Sequence, residues 1–525
     1  MEAVAEKQKT AAEKSDPTRK QIRGSSLLLA GRFISTGLNF VSQILIVRHL
    51  STTEYGAWTY ALAMVAFFQG ISTLGLRRGI TRFVPIYHEN DEFDKLFGTI
   101  FMVLGTIAFM AVLIVGGIHF FPELITRLIN DKDQPIFVIM ILIFMVPVEA
   151  IDGLLIALFA SFSSPKLIFF RKHIMGPCLK VAVVLLLVFF NTTVLFLAYG
   201  WIFANALAVL IYVGMLIRMM RQRGFLAHFN LQKIRMPVKE IFSFTIPLMT
   251  SDLVNIVMHS VDTLLLGYYH NAAEVAAYRV ILPAAHFNKI VMASFGLLYT
   301  PLAARLFAKR DFAGINDLYW RTAVWMSILS FPVFALTFSL AQPLTVLLYG
   351  ARYESSWLLL HMLSFAYYFN AVLGFNGLTL KVLGKIRYVV IINFAAALTN
   401  ICLALILIPR YGALGAAIGT SVAMIIHNIL KQAGLRLASG MSIFEWKYLS
   451  FYMIIAAGAI GLFLIQFFLT ASIYISMPLA MLVSLIIFAV TRRKLDIEDT
   501  FPELLKVPVL GWILGGSSTT KKTEK

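Results

Sequence analysis

Apolar runs alternate along this chain with short polar stretches, and each run is about the length that crosses a bilayer as a helix, roughly 20 residues. Such runs lie near residues 25–47, 56–76, 96–121, 135–160, 174–190 and 194–217. A second set lies near 241–267, 275–301, 320–341, 355–380, 388–408 and 413–430, and two more near 449–470 and 472–491. The pattern predicts an all-α polytopic membrane protein of about 14 transmembrane helices, grouped as six, six and two. The organisation that follows is a tail over 1–24, a six-helix bundle over 25–217 and a basic linker over 218–240. A second six-helix bundle over 241–430, two additional helices within 431–491 and a tail over 492–525 complete it.

Two of the runs carry matching polar stripes. Arg32, Ser35, Asn39 and Gln43 share one face of the first predicted helix, and Asp252, Asn255, His259 and Thr263 repeat the spacing in the seventh. A charge at the centre of a membrane helix costs about 2.5–3.5 kcal/mol on insertion scales, so such stripes are expected to face a wet cavity. The turns that follow them, Glu54-Tyr55-Gly56-Ala57-Trp58 and Glu274-Val275-Ala276-Ala277-Tyr278, keep the same register. Both halves enter the membrane in the same sense. They are expected to be related by a pseudo-two-fold along the membrane normal, around a central cavity opened alternately to each side.

Composition agrees. The chain has 525 residues, of which 59% are hydrophobic and 14% charged, against about 25% charged in soluble domains. The net charge of +18 does not point to nucleic acid, because the basic residues cluster in short loops between apolar runs. One alternate set of loops holds Arg77, Arg78 and Arg82; Lys166, Arg171 and Lys172; Lys381 and Lys385; and Lys431 and Arg436. The positive-inside rule places that set, and both termini, in the cytoplasm of a multi-pass cell-membrane protein. No cleavable signal peptide is expected, since the first 24 residues are polar and the apolar run after them is too long for a signal core. Cys178 and Cys402 lie in apolar runs without metal-ligand spacing and read as small buried hydrophobes. Phe501, Leu504, Leu505 and Trp512 suggest an interfacial helix over 500–515.

The intramembrane charges sort by depth. Lys180 and Asp152, on adjacent antiparallel helices, match in depth and are expected to form a structural ion pair, with Glu149 one turn away. Asp262 and Arg279 flank the turn after the seventh helix as a second such pair. Arg32 and Lys289 lie at a similar level in different halves, and neither has an acidic neighbour in sequence. They suit a phosphate-bearing anion, which converging Arg and Lys donors hold, with pairing of either to Asp252 as the alternative. His259 and His286 offer hydrogen bonds to a polar ligand, a group titrating near neutrality, or helix packing.

Several stretches together resemble one family. Asn400, followed by Leu407-Ile408-Pro409-Arg410-Tyr411-Gly412-Ala413-Leu414-Gly415-Ala416-Ala417-Ile418-Gly419-Thr420, is similar to the eleventh and twelfth helices of polysaccharide transporters. So is Leu383-Gly384-Lys385 before it. Arg48-His49-Leu50-Ser51-Thr52-Thr53-Glu54-Tyr55-Gly56 resembles their first external turn, and Asp262-Thr263-Leu264-Leu265-Leu266-Gly267 the end of their seventh helix. These are the O-antigen and polysaccharide flippases of the multidrug/oligosaccharidyl-lipid/polysaccharide exporter superfamily, and the resemblance covers roughly residues 22–491. It implies export of a polyprenyl-diphosphate-linked oligosaccharide from the inner to the outer leaflet. The implied partners are that lipid-linked oligosaccharide and membrane lipids, with glycan polymerase or glycosyltransferase proteins left open. Apart from the resemblance, the spacing of Gly412, Gly415 and Gly419 gives them a helix-packing role.

No phosphate-binding GxxxxGK[ST] loop and no metal-ligand cluster occurs, so neither an ATP site, a metal nor another cofactor is expected. The predicted external loops are short, which counts against a membrane glycosyltransferase or ligase and favours a non-enzymatic role. A cation-coupled drug exporter of the same superfamily is the nearer rival, and a scaffold for glycan assembly a further one. The exporter would favour twelve spans and an acidic cavity, where this chain offers Arg and Lys.

Overall fold

In the computed structural model the described residues are 28, 30–73, 75–123, 134–162, 164–469 and 472–492. The predicted tail over 1–24 and the interfacial helix at 500–515 lie outside them. The described chain forms two compact units, residues 1–276 and 277–525.

The first unit contains α1 (Ala30–His49), α2 (Thr52–Ser72), α3 (Leu76–Glu89), α4 (Phe93–Phe120), α5 (Ile136–Ser161), α6 (Pro165–Phe189), α7 (Val194–Gln222) and α8 (Val238–Tyr269). Helix α9 (Ala272–His286) runs into the second unit and leads through a 3-10 turn, Phe287–Lys289, to α10 (Ile290–Ala308). There follow α11 (Phe312–Phe334), α12 (Ala341–Tyr349), α13 (Trp357–Val372), α14 (Asn376–Val382), α15 (Ile386–Ser439), α16 (Leu449–Leu469) and α17 (Ile473–Arg492). The protein is an all-helical, multi-pass membrane protein. Ten described helices are long and apolar enough to cross a membrane, or up to 12 with two bent pairs each taken as one span.

Local chemistry explains where these elements begin and how they pack. Ser51 caps α2, its hydroxyl accepting the Glu54 N–H at 3.2 Å while its own N–H donates to the Glu54 carboxylate at 3.0 Å. Gly56, one residue past the Glu54-Tyr55 pair, lies so close to the next repeated turn that an added Cβ would sit 1.8 Å from the Ala272 carbonyl oxygen. The two turns linked by sequence register are therefore in contact. Gly70 meets Ile256 and Gly267 meets the Tyr60 ring in the same manner, so α8 packs along α2.

Helix α15 joins two predicted spans. Its backbone leaves helical geometry at Gly412, where φ is 55° and ψ −131°, a conformation that glycine adopts without a Cβ clash. At Gly415 a Cβ would come 2.3 Å from the Leu407 carbonyl oxygen, so the backbones on either side of the bend touch. The C-terminal pair α16 and α17 packs on a π-helical stretch, Ala335–Ser339, where the Ser339 hydroxyl donates to the Ala459 carbonyl at 2.9 Å.

Cys178 and Cys402 are exposed, not buried as expected. An apolar run does not distinguish a residue facing protein from one facing lipid, because both environments favour the same side chains.

Candidate functional site

The α1 stripe divides in two. Arg32 and Asn39 are exposed. Ser35 is buried; its hydroxyl donates to the Arg32 carbonyl at 3.1 Å and lies 2.9 Å from Nδ1 of His173. Gln43 Nε2 donates to the Tyr55 hydroxyl at 3.0 Å. His173 comes from a π-helical turn, Phe170–Met175, that interrupts α6. Pro177, four residues after His173, has no N–H to donate to its carbonyl, which favours a wider turn there. That turn buries both Arg171 and His173.

The turn also corrects an expected ion pair. Asp152 does not pair with Lys180. Its partner is Arg171, with Nη2 2.9 Å from Oδ1 and side-chain exposures of 6% and 23%. The contact is close but poorly aligned, since Arg171 Nε and Asp152 Oδ1 lack hydrogen-bond partners. Lys180 Nζ instead lies 4.8 Å from the centre of the Trp201 ring. Matching depth along two helices does not fix which way a side chain points around its axis.

On α8, Asp252 is taken by Arg78, a residue read from sequence as a loop cation. Asn255 stands on the same helix. His259 is exposed, while Asp262 and Thr263 are buried, the Thr263 hydroxyl without a hydrogen-bond partner. Asp252 and Arg78 border a pocket of about 490 Å³ whose lining includes Gln69, Thr73, Arg77 and Thr81. The pocket opens where α2 gives way to α3, and Gly75 makes the corner with φ 69°. Two guanidiniums and one carboxylate leave its polar lining with an excess of positive charge.

In the second unit, His286 Nε2 lies 2.6 Å from the Tyr367 hydroxyl, and Lys289 Nζ lies 4.0 Å from the centre of the same ring. Lys289 ends the 3-10 turn between α9 and α10. Asn288 holds that turn, donating from Nδ2 to the Ala285 carbonyl and the Thr337 hydroxyl, each at 3.0 Å. Arg279 is half-buried on α9. Sequence reading missed Lys431, which it placed in a loop. The residue lies on α15 within electrostatic reach of Lys289, as does His427. Among the described residues no group of His, Cys, Asp and Glu is placed to hold a metal ion.

Comparison with known proteins adds the following. The family model described as "Polysaccharide biosynthesis protein" matches residues 22–307, and one described as MatE matches 247–406. A candidate O-antigen transporter of Shigella flexneri is 25% identical over 419 residues, covering 78% of this chain and 96% of its own. An uncharacterized membrane protein of Methanocaldococcus jannaschii is 21% identical over 420 residues, covering 76% and 81%. Among solved structures, the lipid II flippase MurJ in an inward closed conformation superposes with a TM-score of 0.63 at 16% identity, covering 89% of this chain and 99% of that one. An inward-facing multidrug resistance MATE family transporter of the MOP superfamily gives 0.62 at 11% identity, covering 78% and 96%. The last two likenesses establish the fold.

Proposed function

We infer the function from the premise that this chain belongs to the polysaccharide biosynthesis protein family, whose model spans residues 22–307. The chain is a flippase. It moves a polyprenyl-diphosphate-linked oligosaccharide from the inner to the outer leaflet of the cell membrane by alternating access, without covalent chemistry of its own. The family match carries this reading. The candidate O-antigen transporter, aligned over nearly its whole length, and the lipid II flippase fold support it.

The residues fit an anionic cargo. Arg32 is exposed on α1, and Lys289 stands at a helix break without a carboxylate partner among the described residues. These two are proposed to hold the diphosphate. Ser35, Asn39, Gln43, Asp252, Asn255, His259, Thr263 and His286 are proposed as the remaining substrate-binding residues, with His259 and His286 offering hydrogen bonds to sugar. Asp262 with Arg279 remains a proposed structural pair. The sequence repeat, 25–217 and 241–430 with two further helices, is retained as the proposed domain plan, with both termini cytoplasmic.

A diphosphate carries about two negative charges. An inside-negative potential favours outward movement of each by about 2.3 kcal/mol per 100 mV, so the potential supplies up to roughly 4–5 kcal/mol per cycle. The test is reconstitution of the full chain in vesicles with a fluorescent polyprenyl-diphosphate glycan. Flipping should depend on the protein, ignore ATP and slow when the voltage is collapsed. Absence of flipping under any gradient overturns the reading. Voltage-independent flipping that requires a proton or sodium gradient replaces the voltage step with antiport. The second reading, a cation-coupled multidrug exporter, is favoured by the MatE match over 247–406. Efflux of organic cations by the same vesicles, in place of the glycan, would establish it.

A further inference from the structure

We propose that Lys431, together with Lys289 and with Lys381 as an outer contact, forms an anion site inside the second unit that receives the phosphate groups of a lipid-borne ligand. The identity of the lipid rests on the transport reading above.

Lys289 is fixed by the turn that carries it. Asn288, fully buried, ties the turn to Thr337, and the ammonium lies 4.0 Å from the Tyr367 ring centre. His286 orients the hydroxyl of that ring from 2.6 Å. A cation over an aromatic face gains less than an ammonium loses on leaving water. Lys431 extends along α14, where its Nζ lies 3.6 Å from the place a Cβ on Gly377 would occupy. A larger residue there would crowd the ammonium.

The three lysines form a series. Lys381 on α14 is exposed, Lys431 and Lys289 are half-buried, and each neighbour's charge acts on the next. His427 lies within reach of both inner lysines, with its Nε2 2.9 Å from the Asn393 side-chain oxygen. Among the described residues no carboxylate pairs with any of the three lysines. Like charges gathered in a partly desolvated place destabilise the empty protein. An anion that enters and leaves accounts for them. Compact ammonium groups on flexible stems suit phosphate oxygens as point-charge donors.

The experiment measures binding to the purified full chain in nanodiscs of zwitterionic lipid. The probes are geranylgeranyl diphosphate, the matching alcohol, phosphatidylglycerol and inorganic pyrophosphate. The variants are Lys431→Gln, Lys289→Gln and Lys431→Arg. Wild type should prefer the diphosphate to the alcohol, each Gln variant should weaken it about tenfold or more, and Lys431→Arg should retain most binding. Ligand-free Lys431→Gln should melt at or above the wild-type temperature, because a repulsion has been removed. A structural lysine would give the opposite sign, so a less stable or unfolded Lys431→Gln overturns the proposal. Unchanged diphosphate binding in both Gln variants also overturns the site, yet leaves the transport reading standing. Lys431-dependent binding of phosphatidylglycerol with none of the polyprenyl diphosphate keeps the anion site, assigns it to a membrane headgroup and rejects the lipid-linked cargo. Lys431-dependent binding of pyrophosphate alone assigns the site to a soluble phosphate and overturns the lipid-borne ligand.

Discussion

Replacing Arg171 with Met keeps most of the side-chain volume and removes its charge, leaving Asp152 partly buried without its cation. Breaking a buried ion pair from one side costs about 3–5 kcal/mol, because the remaining charge is neither hydrated nor paired. Here Arg171 is 6% exposed, Asp152 is 23% exposed, and the 2.9 Å contact is poorly aligned. Both the residual hydration and the geometry point to the lower end, about 3 kcal/mol. For a unit of this size that is a fall of roughly 6–12 °C in melting temperature. Lys180→Met removes a cation 4.8 Å from the centre of the Trp201 ring that also acts on Glu149 and Asp152 without a direct ion pair, and should cost about 1–2 kcal/mol. The double variant Arg171→Met, Asp152→Leu should recover most of the loss, since an apolar pair replaces buried ions at little net cost. Heating the purified protein in detergent and measuring the monodisperse fraction by gel filtration reads all three. If Lys180→Met proves the more damaging single change, Asp152 belongs to Lys180 and the assignment made from the π-helical turn is wrong.

Gly56→Ala should destabilise by about 1–3 kcal/mol, because the new methyl meets the Ala272 carbonyl. Gly37→Ala, with nothing within 4 Å of the added carbon, should be neutral or stabilise by up to about 1 kcal/mol; equal losses in the same melting assay refute the seam between the turns. Arg78→Ala should cost at most about 1 kcal/mol, since the Arg78 and Asp252 side chains stay 43% and 34% exposed, and a loss matching that of Arg171→Met counts against this. Glu445 accepts hydrogen bonds from Ser442 at 2.6 Å and Asn316 at 2.8 Å, which hold its carboxyl below the usual glutamate range. Its contribution to stability is present above the unfolded value of about 4.3 and is lost as pH falls through the folded one. Glu445→Gln should therefore flatten the acid side of the melting-temperature profile, and an unchanged slope shows that the carboxylate contributes nothing there.

The polar faces of α1 and α8 were legible because their residues recur at helical spacing in otherwise apolar runs. Their register also brought out the turns that Gly56 and Ala272 hold together. Their partners were not legible. Asp252 meets Arg78 because α3 begins at a corner made by Gly75, and a hydropathy pattern carries no information on that angle. Arg171 and His173 looked like loop residues because charge ends an apolar window, although the helix continues through them. The Gly176-Pro177 pair just beyond was the local signal that the helix widens. Lys431 was missed for the same reason: α15 runs on to Ser439, whereas the apolar run stops at Leu430.

The two exposed cysteines have a practical consequence. Cys178 belongs to the first unit and Cys402 to the second, so the natural sequence already provides on each one thiol that protein does not cover, within a membrane-spanning helix open to lipid-soluble labels. Spin labels or fluorophores attached to both would report the inter-unit distance through a turnover cycle with no engineered residue. By the same token, any thiol-accessibility survey of the polar faces must begin from a background in which both have been replaced, or their signal will be read as a cavity.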